Sequence, residues 1–227
     1  MALLFLICVV GIVIDLPFLF LSYEHERLRE KYGKERGERI GEMLGLITGY
    51  LYFGFWAGLW IAPQERFRLR LSQYDIAFQA VFTTISIPLD HLILALVFLV
   101  PGAILGVMGV KTVSLRVAEL HRPEEVVTTG VYSYIRHPQY LGGLLSHMGM
   151  TFLLSGLYSL LVTPFVIVVN YLIARKEEIE LLREFGDEYA EYKKRVPMFI
   201  PRLSLKTELP AHEDDTRDSV PADTQNE

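Results

Sequence analysis

A chain of 227 residues that is 51% hydrophobic, with mean hydropathy +0.29, is too apolar for an ordinary water-soluble domain, and its apolar residues come in long uncharged runs. The formal charge of −5 belongs to the end of the chain: residues 203–227 hold seven acids and two bases, and the rest carries 20 of each sign. A neutral body excludes a basic nucleic-acid surface, and the single cysteine, Cys8, excludes a disulfide framework or a cysteine-based metal site.

The first run, Met1–Leu21, contains one charge, Asp15. It lacks the basic start and small-residue cleavage pattern of a secretory signal, so it reads as a retained helix, kinked at Asp15-Leu16-Pro17. The charged stretch 23–39 reads as a solvated connector. Gly41–Ala62, with Glu42 as its one charge, is a second span. Beyond the polar stretch 63–75, Ile76–Val110 would be about 52 Å long as one helix. Pro88, Asp90 and His91 divide it. Leu92–Val110 can cross a bilayer, whereas Ile76–Ile87 is too short and is expected at the interface or as a re-entrant segment. Tyr140–Ala174 runs for 35 residues without Lys, Arg, Asp or Glu. Ser155-Gly156 splits it into Tyr140–Leu154 and Leu157–Ala174, a helical hairpin.

The pattern predicts an all-α integral membrane protein of about five transmembrane helices, with a C-terminal helical hairpin and a cytosolic amphipathic helix. Stretches 23–39, 111–139 and 175–202 carry six, four and seven Lys and Arg, against three in 63–75. The positive-inside rule then favours five spans over six, with the N-terminus outside and the C-terminus cytosolic. After Ala174, Ile179, Leu182, Phe185, Tyr189, Tyr192 and Val196 recur at helical spacing. That helix is expected along the membrane surface or folded back over the hairpin, ended by Pro197 and Pro201. Residues 203–227 cannot bury enough surface to fold and read as a disordered acidic tail.

Two polar clusters fall on one side of this topology. In "GVYSYIRHPQYLGG", Arg136 and His137 sit at a membrane boundary, and Glu177 and Glu178 stand at the mouth of the last span. Carboxylates can bind ribose hydroxyls or an ammonium group, and an imidazole and a phenol fix orientation. A sulfonium donor would favour acidic and aromatic company. Plainer readings stand beside this: a snorkelling boundary for Arg-His-Pro, and a solvated helix start for Glu177-Glu178. Glu42 and His91 lie near span ends, where water contact explains them. His147 and Asn170 are expected to bond neighbouring helices, not a metal.

The combination "VVTTGVYSYIRHPQYLGG", an apolar hairpin, then "KEEIELLREFGDEYAEYKKRVPMFIP" resembles the isoprenylcysteine carboxyl methyltransferase family, whose membrane relatives include phosphatidylethanolamine N-methyltransferase-like enzymes. The resemblance divides the chain into N-terminal transmembrane helices (1–104), a methyltransferase core (105–202) and the tail (203–227). It implies S-adenosylmethionine held on the cytosolic side by His137, Tyr140, Glu177 and Glu178. Backbone around Val126, Val127 and Gly130 would form another wall, with the Phe199–Pro201 turn helping to cover it. A lipid-like or prenylated acceptor would enter from the membrane, and no metal is expected. Many family members carry an arginine four residues before the first glutamate, where this chain has Ile173. Arg175 is the nearest candidate to orient an acceptor, with Glu177, or Tyr140, as a base for an amine or thiol. Two rivals remain: an NADPH-dependent enzyme like the membrane sterol reductases, which Glu177, Glu178 and Glu180 disfavour because a 2′-phosphate needs clustered cations, and a non-enzymatic membrane scaffold with a degenerate site.

Overall fold

The computed structural model describes residues 2–79, 84–113 and 125–201. The acidic segment 203–227 and most of the first half of the 111–139 stretch lie outside the described residues. The protein is mostly helical: α1 (Ala2–Tyr23), α2 (His25–Tyr32), α3 (Lys34–Ile61), α4 (Leu89–Val113), α5 (Pro138–Leu153) and α6 (Leu157–Arg195), with a 3-10 turn at Gly130–Ser133. Among the described residues α1, α3, α4 and α6 are long and apolar enough to cross a membrane. Helix α5, at 16 residues, is about 24 Å long and packs beside α4. Large apolar side chains such as Leu6, Val13 and Phe18 on α1 and Ile93, Val97 and Ile104 on α4 point outward. Facing lipid, that exposure carries no hydrophobic penalty, so the helices are held by close fit and polar links.

One packed layer joins α1, α3 and α6 through Cys8, Ile12, Leu19, Trp56, Leu59, Val166, Val169 and Ile173. A second joins α4 to α5 where glycines remove the side chains between them. A Cβ on Gly142 would lie 2.7 Å from the backbone nitrogen of Gly106. Gly142→Ala must therefore push two backbones apart, and its thermal unfolding in detergent should show a loss of about 1–3 kcal/mol.

Two expectations from the sequence need correcting. The all-α reading gives way at two short strands: β1 (Asp75–Gln79) pairs antiparallel with β2 (Thr84–Pro88), with Ile76 opposite Ile87 and Phe78 opposite Ile85. The alternation in "DIAFQ" and "TISIP" is the strand period, hidden inside what reads as one apolar run. His91 is likewise not in contact with water. It is fully buried, accepting the Leu69 N–H at Nε2 (3.2 Å) and donating from Nδ1 to Ser155 Oγ (2.9 Å). Beside it the Asp90 carboxylate accepts the N–H groups of Leu71 and His91 at 2.9 and 3.0 Å. These bonds, with Gln64 reaching Leu59 O and Ser159, tie the end of α3, the start of α4 and the α5–α6 turn into one cap.

The other end carries the charges. Stretch 23–39 is not a loose connector but α2 and the start of α3. Glu24 accepts from Lys176 Nζ at 2.7 Å, placing this stretch at the same end as the start of the charged C-terminal segment. Burial raises the Glu24 pKa, but the bonds from Lys176 and Arg27 outweigh it and hold the carboxyl below its ordinary value.

Candidate active site

Helix α6 continues without a break from the last apolar turn into the charged segment, so Ile173, Glu177 and Glu178 keep helical phase. Ile173 and Glu177 are four residues apart and face one cavity; Glu178 is rotated by about 100° toward α5 and the chain end. Gly186 then interrupts the helix at φ +52, ψ −123, a conformation side-chain-bearing residues rarely adopt. The kink splits the periodic face read from the sequence. Ile179 before it is exposed, whereas Tyr189 and Tyr192 after it are buried. Tyr192 donates to the carbonyl of Tyr132 at 2.7 Å, bringing the end of α6 over the Arg-His-Pro stretch.

Behind the cavity wall lies a buried ion cluster. Arg136 donates from Nε to Glu178 Oε1 at 2.7 Å, with Nη2 2.6 Å from the same oxygen; the two side chains are 8% and 4% exposed. His137 Nε2 approaches that oxygen at 3.2 Å, and Lys193 Nζ reaches Glu178 Oε2 at 2.7 Å. The remaining Arg136 nitrogen donates to the carbonyls of Lys193 and Val196. Backbone completes the join: the N–H groups of Arg136 and His137 donate to Pro197 O (2.9 Å) and Met198 O (3.1 Å). Phe199 closes over the His137 ring at 5.9 Å between centroids.

In front of the cluster is a cavity of about 860 Å³, within the range of small-molecule sites. Its polar end is formed by Glu125, Tyr132, Arg136, His137, Tyr140 and Glu177; its remainder runs between α3, α4 and α5 past Gly49, Phe53, Gly106 and Met150 to Trp60. Tyr23 of α1 meets Tyr140 hydroxyl to hydroxyl at 3.0 Å, and Gln139 donates to the Tyr132 hydroxyl at 3.1 Å. Burial, followed by the nearby Glu177 charge, pushes the Tyr132 pKa up, so it stays protonated. Glu177 Oε2 is buried without a hydrogen-bond partner, 3.8 Å from His137 Nδ1.

Each residue named from the sequence therefore has a place. His137, Tyr140, Glu177, Val126 and Val127 stand on the cavity wall. Gly130, with φ +59, is exposed beside Thr112 and outside that wall. Glu178 is also off the wall, its two oxygens engaged by Arg136, His137 and Lys193. Arg175 is exposed on the outer face, donating to the Tyr171 hydroxyl at 3.2 Å, because two helical residues turn it about 200° away from Ile173. It cannot orient a molecule in this cavity. Arg136, read from the sequence as a possible boundary residue, is instead the hub of the site. Its partners are 42 to 60 residues away, so no local pattern betrays them. Tyr23 was legible only as the first residue of the charged stretch 23–39. Among the described residues no group of three or more His, Cys, Asp or Glu is placed to hold a metal.

Residues 91–188 match the phospholipid methyltransferase family model. Protein-S-isoprenylcysteine O-methyltransferase of Schizosaccharomyces pombe is 38% identical over 81 residues, 34% of this chain and 34% of that protein. Its Homo sapiens counterpart is 40% identical over 90 residues, 37% of this chain and 30% of the human protein. Methanethiol S-methyltransferase 2 of Bradyrhizobium diazoefficiens is 37% identical over 75 residues, 32% of this chain and 27% of that one. The match thus spans about a third of the length of these relatives. No solved structure matches the chain.

Proposed function

We propose, since residues 91–188 match the phospholipid methyltransferase family model, that this protein transfers a methyl group from S-adenosylmethionine to a lipid-like or amphiphilic acceptor, an isoprenylcysteine carboxylate or similar. The observation that carries this reading is the partnerless Glu177 oxygen beside His137, at the polar end of a cavity whose other end is apolar. The residues fit such a donor. Glu177 Oε2 can accept from an ammonium group or ribose hydroxyl, and the clustered Tyr132, Tyr140 and His137 rings suit a cation. The donor, when bound, supplies an electrophilic methyl on a sulfonium. The chain's part is to align that methyl with the acceptor and keep water out, which asks for placement more than for acid–base chemistry. His137 contributes a ring fixed by its Nε2–H bond to Glu178. An acceptor carboxylate is ionised at neutral pH and needs no base; a thiol must lose a proton, and Glu177 is the carboxylate placed to take it. Arg136 is fully engaged by Glu178 and two carbonyls, so it clamps the chain and not an acceptor carboxylate.

The basic residues of 23–39 and 175–201 support, by the positive-inside rule, a cytosolic side for the charged end and the C-terminus. The donor then arrives from water and the acceptor from lipid.

Calorimetric titration of the detergent-purified protein with S-adenosylhomocysteine, with NADPH as control, tests the proposal. Saturable binding of the first alone is expected. Binding of NADPH alone would move the protein to the reductases, and folded protein that binds neither would overturn the enzyme reading.

A further inference from the structure

The far end of the cavity is closed by an arrangement that the cofactor site does not require. Trp56 and Trp60, one helical turn apart on α3, both stand on the cavity wall, and both donate their indole N–H to the same atom, His147 Nδ1, at 3.1 and 2.9 Å. Nδ1 is therefore the unprotonated nitrogen. His147 Nε2–H faces Ser159 O and Thr163 Oγ1, both at 3.3 Å. The ring is fully buried, so it is a bracket behind the wall that fixes two indoles, not a group open to ligand. The space for Trp56 is reserved by Gly143, where a Cβ would lie 2.7 Å from Trp56 Cη2. Beyond Trp60 the interior is filled: Phe152 packs against Phe67 at 5.8 Å and lies parallel to Phe98 at 6.0 Å, and Gln64 bonds across to Ser159.

Polar groups at membrane depth are expensive and tend to be functional. Aliphatic side chains would close the cavity more cheaply but would leave its depth soft. A histidine holding two indoles gives a rigid floor. The cavity reaches it along α3 from Gly45 to Trp60, about 22 Å at 1.5 Å per residue. That is about three quarters of the ~30 Å hydrocarbon core. A trough with one polar end, apolar walls and a closed end parallel to the helices suits a single apolar tail lying lengthwise with its head toward the polar end.

Resting on the methyltransferase reading for the identity of that head, we propose that Trp56, Trp60 and His147 form the floor of the acceptor trough and set the greatest tail length it admits. A tail that ends short of the indoles leaves apolar wall unfilled, and one that exceeds the trough must bend or displace a hydrogen-bonded indole. Affinity should therefore rise with length, peak, and fall.

The two indoles are the protein's two tryptophans, so its intrinsic fluorescence reports the floor directly. The test uses S-alkyl thioethers of N-acetylcysteine of increasing length, each with a bromine at the tail end, titrated into the purified protein. Saturable quenching should peak at one length, with the next longer members binding at least about tenfold more weakly. Trp60→Ala, which keeps Trp56 as reporter, should move the peak to longer tails. Equal quenching at every length in the wild-type protein would overturn the proposal whether or not the variant folds, as would an unmoved peak in folded Trp60→Ala. The trough and the methyltransferase reading fail separately: a length-dependent peak in protein that does not bind S-adenosylhomocysteine would keep the floor and remove the methyl donor.

Discussion

Glu178→Gln should lower stability by about 3–5 kcal/mol, the cost of leaving a buried charge without its partner, and cofactor binding should disappear as a consequence. Arg136 is 8% exposed at its side chain and directs two nitrogens at one Glu178 oxygen. An amide oxygen can accept one of those bonds but cannot balance the charge, and Lys193 and His137 lose the same partner. The damage should concentrate where the cluster joins distant segments. Limited proteolysis is expected to open residues 186–201, which are held over α5 by Arg136, by the bonds to Pro197 and Met198, and by Tyr192. A double variant distinguishes this account from one in which Glu178 touches the cofactor. Replacing Arg136 and Glu178 together by methionine removes both charges, which for a buried pair is often close to neutral. Thermal unfolding should therefore recover much of the stability lost in the single variant. If the single variant unfolds like the wild type and loses binding alone, Glu178 is a ligand group and the cluster is not what holds the site.

Much of this arrangement was legible in the sequence, and the parts that were not share one physical cause. Uncharged runs of the right length identify membrane helices because bilayer thickness imposes that length. The basic residues of 23–39 and 175–201 share an end in the structure, as Glu24 and Lys176 demonstrate. What a single sequence does not carry is the rotation of each helix about its own axis relative to its neighbours. Glu177 and Glu178 are chemically identical and adjacent, yet one faces the cavity and the other the ion cluster. Arg175 looked usable only while a distorted helix end could bring it round, and α6 is regular there. The spacing of Trp56 and Trp60 does put both on one face of α3, but nothing near them announces His147, which arrives from a helix about 90 residues later. The strand alternation of residues 75–88 was present in the sequence and was obscured by reading the segment for hydrophobicity alone.

Glu177→Gln should behave in the opposite way to its neighbour: the fold persists and the ligand is lost. Its Oε2 makes no hydrogen bond within the protein, so removing the charge breaks no buried pair and the unfolding temperature should stay near that of the wild type. A hydrogen bond from a ligand ammonium or hydroxyl to a carboxylate contributes about 1.5–3 kcal/mol, equivalent to roughly 10- to 150-fold in affinity. Calorimetry with S-adenosylhomocysteine should register that loss. The sign of the effect also has a control within the site. A carboxylate oxygen buried without a hydrogen-bond partner is itself unfavourable, so the ligand-free variant should be no less stable than the ligand-free wild type. The wild-type protein should gain more in unfolding temperature from added ligand than the variant, because ligand stabilises in proportion to its occupancy of the folded state. Unchanged affinity in Glu177→Gln would place the donor elsewhere in the cavity. Lost affinity with an equal loss of fold would mean that Glu177 belongs to the structural cluster after all. On the proposed reading the adjacent glutamates have separate roles that the sequence leaves fused: Glu178 holds the chain together, and Glu177 takes the ligand.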